Sequence, residues 1–128
     1  LTAGYQADMC KGLAIEPIKK SSSLVMIVLP NEPWARRIRG VLGNELANRN
    51  PHIGHIILTE HHASGSESQT YQVSLRAPEA RMSGADQIAA KFGGGGRRAA
   101  AGIGGLPAGQ LTELWDEASD VWKERTKG

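Results

Sequence analysis

Leu24-Val25-Met26-Ile27-Val28-Leu29-Pro30 is the stretch on which the reading of the fold turns. It is apolar without a break and rich in β-branched side chains. It is too short to cross a bilayer and suits a strand buried on both faces. After Pro30 the period changes. Asn31 is the expected N-cap, with Glu32 and Pro33 in the first turn. Trp34, Ile38, Val41, Leu42 and Leu46 then recur at helical spacing. Gly40 and Gly43 lie inside this helix, each costing about 1 kcal/mol relative to alanine, which implies close packing against another backbone or a ligand. Arg36, Arg37 and Arg39 read as a solvated face. Asn48 to Pro51 end the helix, and His52 to Thr59, with Ile53, Ile56, Ile57 and Leu58, reads as a second strand. Strand, helix and strand in this order predict a right-handed crossover between parallel strands.

Further along, Glu60 to Gln69 is a polar loop. Thr70 to Arg76 alternates, with Tyr71, Val73 and Leu75 on one face and Gln72, Ser74 and Arg76 on the other. A strand returning after a loop pairs antiparallel, so the sheet is mixed. Ser83 is the expected cap of a third segment, with Asp86 completing a capping box and Ala85, Ile88, Ala89 and Phe92 as its buried stripe. Ile103 to Leu106 reads as a short extended piece. A last helix is expected from Ala108 to Lys123, with Leu111, Leu114, Trp115, Ala118, Val121 and Trp122 on one face. The tryptophans read as core rather than as a dimer contact, although a homodimer through this helix stays open. The expectation is an α/β fold: a mixed β-sheet packed with three or four helices in a single compact domain. Residues 1–22 show no clear period and are broken by Pro17, so they read as an entry segment or linker remnant before a domain at 23–128.

The chain has 128 residues, a net charge of +2 and a pI near 8.9, so any nucleic-acid contact should be local rather than a global field. The single cysteine, Cys10, allows no internal disulfide and fits a reducing cytosol. No membrane segment or signal peptide is visible, and a cytoplasmic location is expected.

Phe92 is followed by Gly93, Gly94, Gly95 and Gly96, then by Arg97, Arg98, Ala99, Ala100, Ala101 and Gly102. Consecutive glycines reach positive φ and leave a bare backbone whose N–H groups can converge on an anion. Two guanidinium groups follow, with donor forks suited to phosphate. The alanines suggest a short helical turn whose N-terminus would add partial positive charge. The stretch reads as an anion cradle rather than a flexible linker.

Other chemistries fit poorly. Gly94 to Ala99 satisfies a dinucleotide fingerprint literally, but a helix rather than a strand precedes it, and no Gly-Lys-Ser/Thr of a Walker loop follows. His52, His55, His61 and His62, with Glu60, lack converging carboxylates or cysteines and read as solvated residues rather than a metal site. Ser64 and Ser74 have no nucleophile elbow around them, so no catalytic residue is assigned.

Val73-Ser74-Leu75-Arg76, the helix Ala85 to Phe92 and the glycine stretch together resemble the DHH-associated domain at the C-terminus of DHH phosphoesterases. That family includes RecJ-like exonucleases, oligoribonucleases and cyclic-dinucleotide phosphodiesterases, and a relative closes alanyl-tRNA synthetase. Its pattern is a V-S-x-R strand, a helix, four glycines and a histidine, two variable residues, then Ala-Ala-Gly. The resemblance is sharp over about a quarter of the chain. It implies a domain that holds a substrate's phosphate and end nucleotide opposite a metal-bearing DHH domain. Carried over, Arg76 would hold a phosphate, Ser74 would support it, Gly93 to Gly96 would form the backbone wall, and Arg97 and Arg98 would add donors. Arg97 stands where the family has histidine, keeping a donor but losing a neutral acceptor. Mn²⁺ is expected only in the DHH domain, with no cofactor in this chain. The chain is thus expected to be the C-terminal domain of a longer hydrolase or a stand-alone descendant. Its expected partners are a nucleotide, a short oligonucleotide or another phosphorylated substrate, and an N-terminal DHH domain. An RNA-gripping module like the synthetase tail is the alternative.

Overall fold

The computed structural model describes residues 3–61, 69–79 and 82–123. They form one mixed sheet of six strands, flanked by four α-helices. The strands are β1 (Lys19–Lys20), β2 (Leu24–Leu29), β3 (Gly54–His61), β4 (Thr70–Arg76), β5 (Gly95–Gly96) and β6 (Ala100–Pro107). The helices are α1 (Ala3–Leu13), α2 (Pro33–Arg49), α3 (Ala85–Lys91) and α4 (Leu111–Trp122). The sheet order is β1-β2-β3-β4-β6-β5. Only β2 and β3 pair parallel, across the α2 crossover; the other pairs are antiparallel.

The continuous apolar run of β2 is buried on both sides because helices cover both faces. Val25, Ile27 and Leu29, with Ile57 of β3, pack under Ala35, Ile38, Leu42 and Leu46 of α2. Leu24 and Met26, with Ile56, Leu58, Val73, Leu75, Ile103 and Leu106, pack under Ile88 of α3 and Leu114 and Trp122 of α4. The alternation expected for β4 is seen, since Val73 and Leu75 are buried and Ser74 and Arg76 turn to the α2 side, half-buried.

Several local expectations are corrected. The entry segment contains a helix: α1 lies on α2, with Met9 and Leu13 against the apolar cluster. Its buried positions include Gly12, pressed on Ile38 and Leu42, and Asp8, paired with Arg37 at 2.9 Å, so no apolar period announced it. The α2 stripe substitutes Ala35 and Gly43 for Val41, which is exposed. The α2 cap is Glu32; Asn31 instead accepts a hydrogen bond from Arg36 at 2.6 Å. Gly84 (φ +100) caps α3 without a side-chain bond, and the carbonyl of Ser83 accepts from Trp122 Nε1 at 2.9 Å. A 3₁₀ turn at Ala108–Gln110 precedes α4.

The largest change lies after the glycines. Ala100 and Ala101 open strand β6 instead of a helical turn. Pairing with β4 on one side and β5 on the other overrides the helix preference of alanine. α3 packs on β6 from the face away from α2.

Candidate anion-binding cleft

A cleft of about 520 Å³ runs between the C-terminal half of α2 and the ends of β4 and β6. Asn44, Ala47 and Asn48 line it from α2, Arg76 and Ala77 from β4 and its continuation, Met82 from the following loop, and Arg97, Ala99 and Ala100 from the β5–β6 connection. Strand pairing sets this meeting. Arg76 is opposite Ala100 in the antiparallel β4–β6 register, and the backbone N–H of Arg97 donates to Ala100 O at 2.8 Å.

Arg76 is anchored. Its Nε donates to Asn44 Oδ1 at 3.3 Å, Nη1 to Leu75 O at 3.1 Å and Nη2 to Gly40 O at 3.4 Å. Gly43 gives it room: a Cβ there would stand 3.1 Å from Arg76 Nε and 3.2 Å from Ile57 Cδ1. The close packing that the helix glycine implied is thus with a guanidinium rather than with another backbone. Burial pushes the Arg76 pKa below its ordinary value, and the positive charge of Arg97 pushes it further the same way. Both causes disfavour the cation, and a negative charge nearby would favour it.

The glycine run closes one helix and packs on a strand. Gly93 (φ +83) and Gly94 donate their N–H groups to Ala90 O and Ala89 O, closing the end of α3. A Cβ on Gly94 would overlap the carbonyl oxygen of Gly102, and one on Gly96 (φ +150) would lie 2.5 Å from Ala101 Cα. The glycines therefore let α3 turn back as β5 and lie hard against β6. Gly95 and Gly96 pair with Gly102 and Ala101. Arg98 is exposed, and its carbonyl accepts from Ala85 N at 3.0 Å, tying this loop to the start of α3. Ser74 is half-buried, two residues along β4 from Arg76, opposite Ile57 and Gly102. Of the residues expected at the site, Arg76 and Arg97 line the cleft; Ser74, Gly93 to Gly96 and Arg98 are not among its lining residues. The sequence reading missed Asn44 and Asn48. Their i, i+4 spacing, which puts two amides on one helix face, was the available signal.

Of the histidines, His52 is exposed, whereas His55 is buried on β3. The side chains of His61 and His62 lie outside the described residues. Among the described residues no three His, Cys, Asp or Glu side chains gather as a ligand set for a metal such as the Mn²⁺ that the resemblance places in a separate domain. No described helix is long and apolar enough to cross a membrane.

No protein-family model and no curated protein matches the chain. Solved structures do. An exopolyphosphatase-related protein from Bacteroides fragilis superposes with a TM-score of 0.61 at 18% identity, over 94% of this chain and 35% of that one. A pGpG-specific phosphodiesterase from Vibrio cholerae superposes with a TM-score of 0.58 at 15% identity, over 88% of this chain and 38% of that one. The fold is therefore one found within phosphoesterase-related proteins, and this chain spans little more than a third of either.

Proposed function

We propose that the domain is the substrate-holding part of a DHH-type phosphoesterase. It grips the phosphate of a nucleotide, a short oligonucleotide or another phosphorylated compound, while a separate metal-bearing domain supplies hydrolysis. The observation that carries this reading is the convergence of Arg76 and Arg97 on one open cleft. Arg76 is the orienting group. The bonds to Asn44, Leu75 and Gly40 occupy three of its five N–H donors and leave one on each terminal nitrogen for phosphate oxygens. Arg97, exposed on the far wall, is the second phosphate contact, and the amides of Asn44 and Asn48 suit the polar edges of a sugar or base. The structural likeness to an exopolyphosphatase-related protein and a pGpG-specific phosphodiesterase supports a phosphorylated ligand.

Calorimetric titration with a 5′-mononucleotide, a short single-stranded RNA and inorganic polyphosphate tests the proposal. Arg76→Ala should weaken binding of the preferred ligand by about 1.5–3 kcal/mol, as expected for a charge-assisted contact. Unchanged affinity in a folded variant would remove Arg76 from the site.

A further inference from the structure

On the other side of the C-terminal end of α2 lies a second, smaller cavity of about 200 Å³, with no part in the cleft. Leu13, Ile15, Val25, Ile27, Leu46 and Ile53 give it aliphatic walls. Its polar groups are Lys20, Asn50 and His55. His55 is 1% exposed, and neither ring nitrogen has a hydrogen-bond partner among the described residues. Buried polar groups are nearly always satisfied, so an unpartnered imidazole lining a cavity calls for an occupant. The cavity is below the ~300–1,000 Å³ of sites for drug-sized ligands, so the occupant is small.

We propose that this cavity binds a short aliphatic monocarboxylate, its chain against the Leu, Ile and Val walls and its carboxylate accepting hydrogen bonds from the His55 ring and the Asn50 amide. The lining selects this class. The walls named are aliphatic, without an aromatic ring to stack on a planar ligand. A neutral imidazole and a primary amide both donate, and Lys20 gives an ammonium group for a negative head. Lys20 is available on this side because β1 alternates: Lys19 turns to the opposite face, 5.2 Å from the Trp115 ring centroid. Burial holds His55 near pKa 4, so the apo ring is neutral and cannot relieve its isolation by protonating at pH 7.

The probe pair is hexanoate and hexanol, titrated into ¹³C,¹⁵N-labelled protein. Hexanoate should shift the His55 ring resonances and those of Ile27, Leu46 and Ile53, and hexanol should bind at least tenfold more weakly. Lys20→Ala, at an exposed position, should weaken hexanoate severalfold without altering the fold spectrum, and His55→Leu should remove the preference for hexanoate over hexanol. Equal binding of both probes, or binding in His55→Leu with the preference intact, would overturn the carboxylate assignment. No shift with either probe would show that the cavity holds water only and would overturn the site.

Discussion

A guanidinium fixed by an amide and two backbone carbonyls is a rigid fork, and lysine cannot reproduce it. Arg76→Lys keeps the charge but loses the geometry set by Asn44, Leu75 and Gly40. It should recover less than half of the phosphate affinity lost in Arg76→Ala, as read by the same titration. His55 makes a prediction of another kind. Its pKa is about 4 in the fold against an ordinary 6.5, so the unfolded chain takes up the proton first as pH falls. The His55 contribution is fully present above pH 6.5 and is lost between 6.5 and 4, by an amount on the order of 3 kcal/mol. Denaturant melts of wild type and His55→Leu should converge or cross as pH is raised through this window, because the variant lacks this one loss on acidification. Identical pH dependence in the two proteins would contradict the burial described. At this scale the sequence was informative where chemistry marks residue type. Arg76 and Arg97, which line the cleft, were singled out from a strand motif and a glycine motif. Asn44 and Asn48 were not, because two amides on a helix look like ordinary surface until the sheet edge opposite them is known.

At the scale of elements, the glycine run shows what a sequence leaves open. Sequence tells that Gly93 to Gly96 need bare backbone; it does not tell whether a ligand or another strand approaches. Here it is β6. Gly94→Ala should therefore destabilise by at least ~2 kcal/mol through displacement of the β5–β6 pair, a loss visible in thermal melts before any ligand is added. The helix α4 was legible from its stripe, and the close approach of Trp122 to Gly54 and Gly84 explains why that stripe ends on a tryptophan. Trp122→Ala should cost about 3–5 kcal/mol, since it removes a buried ring and leaves the Ser83 carbonyl without that donor. Helix α1 was not legible. It seats on α2 through a glycine and an ion-paired aspartate, neither of which registers in a hydrophobic period.

For the whole molecule, the crossover, the mixed sheet and the two apolar layers could be read from β2 outward, because burial on both faces forces helices onto both. The cleft at the ends of β4 and β6 could not, since it depends on where α2 lies along the sheet. With Arg76 and Arg97 as the phosphate contacts, binding of a short single strand should show a shallow salt dependence, a slope of log K against log salt near −1.4 (about −0.7 per phosphate). A slope several times steeper would mean a broad basic surface and favour an RNA-gripping module.

The ends of the sheet have a consequence of their own. One edge is the two-residue β1, made of lysines, and the other is the two-residue β5, made of glycines and running into Arg97 and Arg98. Each of these two-residue strands offers a visiting strand little ladder to extend and a positive charge at close range. Growth of the sheet from one molecule into the next is thereby discouraged where β1 lies along Val25 and Met26 and where β5 lies along Ala101 and Gly102.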